Sequence, residues 1–243
     1  MRNYGPIIII SVTAIILGLI LGHSYTYKYK NRNRVSVAGS AYYNFASDLI
    51  VWSASVECAS ADIKDAYTKL KTDDQQILAY LRGHGIADSE IVFSSISSNK
   101  QYEDIYNADG RQTGKVFKGY MLEQVVKVKS INIDRVEKVS REITELLQQG
   151  VEVNSAEPLY YYTKLADLKI DLLAKASADA YSRALTIAKN AHSKLGNLKE
   201  ADMGVFQITG QYSNESFTYS GTFNTASKNK TANVIVRMEY TLE

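Results

Sequence analysis

The chain has 243 residues, a formal net charge of +2, two prolines and a single cysteine, Cys58. One cysteine excludes an intrachain disulfide. The near-neutral balance excludes a broad basic face for nucleic acid, because the basic excess sits in Arg2, Lys28, Lys30, Arg32 and Arg34 around one apolar run.

That run, Ile7 to Gly22, reads IIIISVTAIILGLILG and holds no charge. As a helix it spans roughly 24 Å, and extension through Tyr27 supplies the length a bilayer core requires. Tyr25, Tyr27 and Tyr29 would lie at the headgroups, with the following Lys and Arg residues against phosphate. Residues 7–27 are therefore expected to enter the membrane as one uncleaved transmembrane signal-anchor within a segment 1–33. The alternative is a cleaved secretory signal ending at the small-residue site Gly22-His23-Ser24. The flanking charges alone predict a cytoplasmic C-terminal domain.

About 210 residues remain, enough for a real core, and no Pro/Gly/Ser linker divides them. One domain, 34–243, is expected. Val35 and Val37 alternate with small residues, Gly39-Ser40 interrupts, and Ile50, Trp52, Ala54 and Val56 alternate with Leu49, Val51, Ser53 and Ser55. Two strands follow from this period of two, and Ser47-Asp48 between them predicts a hairpin. Asp62 to Leu81 carries Ile63, Ala66, Tyr67, Leu70, Ile77, Leu78 and Leu81 at helical spacing, stopped by Gly83-His84-Gly85.

Glu90 to Gln101 and Val116 to Lys129 read as strands joined by a long polar loop. Asn132 or Asp134 caps a second helix with the stripe Ile133, Val136, Val139, Ile143, Leu146 and Leu147, ending at Gly150. A strand over Val151 to Tyr162 follows. Leu165 to Leu195 is the longest helical pattern, with Leu172, Ala176, Ala180, Ala184, Ala188 and Ala191 on one seam and Gly196 as its stop. Strands at Lys199 to Tyr212 and Ala232 to Leu242 close the chain, separated by a polar flexible loop at 213–231. The fold class is α+β, with mixed or antiparallel sheets, packed helices and the order β-β-α-β-β-α-β-α-β-β after the N-terminal helix.

The opening VSVAGSAYYNFASDLIVWSASVE resembles the start of the SIMPL-domain family of bacterial envelope proteins, with Val35, Val37, Gly39, Ala41, Asp48, Leu49 and Trp52 in the matching places. The Ala-rich helix resembles a second segment of that family through Asp179, Ala180, Ala184, Ala188, Leu195 and Gly196, and the last strand also fits. One departure is Ala191-His192, where many relatives carry a glycine. The resemblance covers Arg34 to Glu243. It implies an extracytoplasmic, periplasmic domain, secreted or membrane-anchored, that assembles into homo-oligomers and has no established catalysis. That implication overrides the flanking charges.

No catalytic, cofactor-binding or metal-ligating residue is assigned. His23, His84 and His192 stand in no metal-ligand spacing, and no phosphate-cradling glycine motif or nucleophile elbow occurs. Cys58 near a strand end reads as a small buried hydrophobe, and the carboxylate pairs Asp73-Asp74 and Glu103-Asp104 as solvated surface. Eighteen tyrosines against one tryptophan suit either an interface or simple strand propensity. The expected function is that of a non-enzymatic, membrane-anchored envelope protein acting through homo-oligomeric assembly or an extracytoplasmic protein partner, with no nucleic acid and no cofactor. The alternatives are an enzyme of unrecognised type or a module binding a small extracytoplasmic ligand.

Overall fold

The computed structural model describes residues 5–30 and 33–243, with side chains in the N-terminal helix placed for 12–25. That helix, α1, runs Gly5–Lys30, and its apolar side chains from Val12 to Leu21 are exposed. Among the described residues no helix is long and apolar enough to cross a membrane. The transmembrane helix expected over 7–27 is thus not supported here; residues 7–11 and 26–27 of it have side chains outside the described set.

The remaining elements follow in order as β1 (Arg34–Ala46), β2 (Leu49–Ser60), α2 (Ile63–Gly83), β3 (Ile91–Phe93), β4 (Ser97–Tyr106), β5 (Gln112–Ser130) and α3 (Ile133–Glu142). Then come β6 (Val153–Ser155), β7 (Leu159–Tyr161), α4 (Leu165–Asn190), β8 (Leu195–Met203), β9 (Gln207–Gly210) and β10 (Asn229–Leu242). The single strand expected from Val151 to Tyr162 is two short ones, and the region from Lys199 to Tyr212 divides between β8 and β9. Caps set the helix limits. The Asp62 carboxylate accepts the Lys64 N–H at the start of α2, and the Asn132 side chain accepts the Arg135 N–H at the start of α3.

Two antiparallel sheets result. One has the order β1-β10-β8 with β9 also on β10; the other has β3-β5-β2-β6, with β4 on β5 and β7 on β2. Helix α4 covers one face of the first. Its seam residues Leu172, Ala176, Ala180, Ala184 and Ala188 are buried against Val35, Val37, Ala41 and the inward face of β10. Helices α2 and α3 cover the second sheet, where Ile50, Trp52, Ala54, Val56 and Cys58 face Leu70, Ile77, Leu81, Val136 and Val139. Among the described residues all three apolar clusters are built from 35–242, with no contribution from the α1 side chains 12–25.

The expected hairpin of the first two strands does not form. β1 pairs with β10 and β2 with β5, so Ser47-Asp48 carries the chain from one sheet into the other. Its polar groups serve that crossing. Ser47 N–H donates to Lys228 O, Asp48 N–H to Tyr161 O, and the Asp48 carboxylate takes both the Thr163 N–H and hydroxyl at 2.7 Å. Nor does Gly39-Ser40 interrupt β1. Gly39 stays in register on the buried face, where α4 lies against the strand: a Cβ there would stand 2.7 Å from Ala180 Cα and closer still to Ala176 O and Ala180 N.

The end of α4 also differs from expectation. It stops at Asn190, not at Gly196, which lies in β8. Ser193 N–H returns to Ala188 O and His192 N–H to Lys189 O, the paired bonds of a Schellman cap, with His192 in the left-handed region at φ 54°. Here the histidine occupies a conformation glycine adopts without Cβ strain. His192→Gly should therefore raise the stability of the domain by about 1 kcal/mol in urea titration; a lower midpoint would show that the exposed imidazole contributes more than its backbone strain costs.

Candidate functional site

The signature residues of the fold are structural once placed. Asp179 accepts the Ser40 N–H at 2.9 Å and the Arg183 guanidinium at 2.8 Å, and the Ser40 bond foremost holds its carboxyl below the usual range. It caps a backbone group on the outer edge of β1. Asp48 ties the sheet crossing to Thr163, and Trp52 is buried with its indole N–H on Ser155 Oγ at 3.0 Å. None faces a cleft.

The one cysteine is equally inert. Cys58 is buried, its thiol donates to Asp73 at 3.2 Å, and desolvation first and the Asp73 bond second push it up to about 11. A thiol so protonated at neutral pH is a poor nucleophile. Asp73 and Asp74 are not the solvated pair expected of adjacent acids on a helix. Both are buried, and each meets a lysine of its own helix, Lys69 at 3.0 Å and Lys71 at 2.9 Å. His84 accepts its expected turn role, capping α2 with its ring against Tyr80. Among the described residues no three His, Cys, Asp or Glu side chains converge as metal ligands.

Two surfaces stand out. The first is a ribbon formed by β4 and the N-terminal half of β5. The long polar loop expected between these strands is itself strand, closed by a tight turn in which Asn107 Oδ1 accepts the Asp109 and Arg111 N–H groups. Every residue of β4 is exposed. Glu103 and Asp104 pair across the ribbon with Lys118 and Lys115, so they are surface groups as expected. Tyr102, Phe117 and Tyr120 form an edge-to-face aromatic row, Ile105 and Val116 are exposed on the opposite face of the ribbon, and Tyr106 is exposed near its tip. The ribbon leaves the sheet at Gly119, whose φ of 145° and closeness to the Ser60 carbonyl admit no side chain.

The second surface is a groove on the open face of the first sheet, of about 650 Å³. Ile235 and Arg237 of β10 form its floor, and Phe217 to Tyr219 its wall. The 213–231 segment that builds the wall is held by polar bonds, in place of the flexible loop expected from its composition. The buried Gln207 amide donates to Thr218 O at 2.7 Å and accepts the Thr218 and Thr222 N–H groups. Glu215 binds Gly210 N–H and the Asn224 amide. Lys230, 1% exposed, donates to Asn224 O and Ser227 O at 2.8 and 2.6 Å.

Composition marks that stretch as loop; what it hides is that one lysine lies beneath it. Burial pushes the Lys230 ammonium down to about 8, with the Glu215 carboxylate opposing the shift. The folded chain therefore holds this proton less tightly than the unfolded one. Relative to Lys230→Met, wild-type stability should rise as pH goes from about 8 toward 10.5, the ordinary lysine value. Melting both proteins at pH 7, 8 and 9 checks this, and a difference that stays constant or shrinks with pH would refute it.

With fold and surfaces in place, sequence comparison decides the family. Residues 35–238 match SIMPL, described as a protein of unknown function (DUF541). The chain belongs to the SIMPL family. No curated protein matches the sequence. The SIMPL positions Gly39, Asp48, Trp52, Asp179 and the alanine seam are those that close the layers of the two sheets and cross between them. The family signature in this chain is thus a record of packing, and it names no reacting group.

Proposed function

We propose that this SIMPL protein is a non-enzymatic envelope component that works by assembling with further copies of itself, attached to the cytoplasmic membrane through residues 7–27 with its domain on the extracytoplasmic side. The observation that carries the assembly is the β4–β5 ribbon. A two-stranded ribbon is marginally stable alone in water, and this one exposes the aromatic patch of Tyr102 and Phe117 on one face, Ile105 and Val116 on the other, and Tyr106 near its tip. Covering such a patch in a neighbouring copy removes apolar area from water. The uncharged run from Ile7 to Gly22, with its tyrosine and lysine flank, supports attachment. A second protein of the envelope is the other partner the ribbon suits.

Residues 33–243 contain all three cores, so this portion serves for the test. It should sediment as a discrete species larger than a monomer at micromolar concentration, and the triple variant Tyr102→Ser, Tyr106→Ser, Phe117→Ser should sediment as a monomer with an unchanged melting curve. A wild-type monomer at every accessible concentration would sink self-assembly. Location is checked separately by phosphatase and green-fluorescent-protein fusions after Glu243: an inactive phosphatase with a fluorescent partner would place the domain in the cytoplasm.

A further inference from the structure

We propose that the groove on the open face of the first sheet binds a free α-amino acid with an aliphatic or aromatic side chain, Arg237 taking its carboxylate and Asp202 its ammonium. Val234 and Val236 point into the α4 interface, so Asn233, Ile235 and Arg237 face the other way along β10. Asp202 of β8 is the register partner of Arg237. Both side chains are exposed and line the groove, yet among the described residues neither makes an ion pair or hydrogen bond, with the other or with any third group. Antiparallel partners stand about 4.5–5.5 Å apart at Cβ, so the two heads can converge on the two charged groups of a single α-carbon.

The surroundings suit the rest of such a molecule. Val205, Ile235 and Phe217 are exposed apolar side chains around the charged pair, and the volume of about 650 Å³ holds an amino acid side chain with space for water. The wall is built in advance: the Gln207 amide fixes Thr218 and Thr222, and so sets Phe217 and Tyr219 over the sheet. A plain anion would meet Asp202 as a repelling neighbour, and a plain cation would meet Arg237. Only a zwitterion satisfies both, and the apolar lining selects its side chain.

The probes are L-phenylalanine, hydrocinnamate, which lacks the amine, and phenethylamine, which lacks the carboxylate, each titrated calorimetrically into the full chain in detergent micelles. Phenylalanine should bind at least tenfold more tightly than either analogue. Arg237→Gln should weaken phenylalanine at least tenfold, and Asp202→Asn should abolish its preference over hydrocinnamate while leaving hydrocinnamate no weaker. Both side chains are exposed, so the melting curves should coincide with wild type. Hydrocinnamate or phenethylamine binding as tightly as phenylalanine, or no heat from phenylalanine at millimolar concentration, overturns the proposal from the wild-type chain alone.

Discussion

Gly39→Ala should be among the most damaging single substitutions in this chain, although it adds one methyl group to an exposed-looking, Ser- and Ala-rich strand. The added Cβ would lie 2.7 Å from Ala180 Cα and nearer to Ala176 O and Ala180 N, all backbone atoms of α4. Backbone of a 26-residue helix cannot turn aside as a side-chain tip can. Either α4 lifts from β1, opening the seam of Ala176, Ala180 and Ala184, or β1 bends away from β10. Both break close packing and the Ser40 to Asp179 bond. Overpacking costs about 1–3 kcal/mol, and the upper end is expected here, which lowers the melting temperature by roughly 6–12 °C for a domain of this size. Circular-dichroism melts of residues 33–243 measure it. A shift within 2 °C would mean that the helix rides freely over the strand.

Trp52→Ala should cost still more, about 3–5 kcal/mol. The ring is 1% exposed at the centre of the second core, among Ile50, Val56, Leu70 and Val128. Its loss has a polar component too. The indole N–H donates to Ser155 Oγ, and that hydroxyl donates in turn to Ser140 O at 2.7 Å, so the ring orders the short strand β6 against α3. Trp52→Phe separates the two effects: it keeps most of the volume, loses the hydrogen bond, and should fall between wild type and Trp52→Ala by urea titration. An unchanged melting curve for Trp52→Ala would place the ring at the surface and make it a contact residue.

The elements were legible because their signals are local. Alternation set the buried face of β2, the i, i+3, i+4 spacing set α2 and α3, and the small-residue seam of α4 lies against a strand as its composition suggests. Asn132 and Asp62 mark helix starts through bonds reaching two or three residues. Pairing between distant segments was not legible. Ser47-Asp48 has the composition of a hairpin turn, but β1 finds its partner about 190 residues away, in β10, where the period of two says nothing of which strand lies beside which.

The candidate surfaces divide in the same manner. The tyrosines and the polar 213–231 stretch were visible as composition, while their use depends on contacts made across the fold. Tyr102 becomes a surface row only because β4 and β5 extend past the sheet, and Lys230 becomes a buried cation only because Asn224 and Ser227 turn their carbonyls onto it. Adjacent Asp73 and Asp74 read as solvated, since sequence shows the neighbours along a helix but not the strand above it. By itself the sequence determined the α+β class, the helices, the buried strand faces and the SIMPL family, because each rests on residues within a turn or a strand of one another. Only the tertiary structure decided which strands pair, why Gly39 must lack a side chain, and that Arg237 and Asp202 stand side by side unpaired: these depend on backbone segments far apart in the chain coming within a few ångströms.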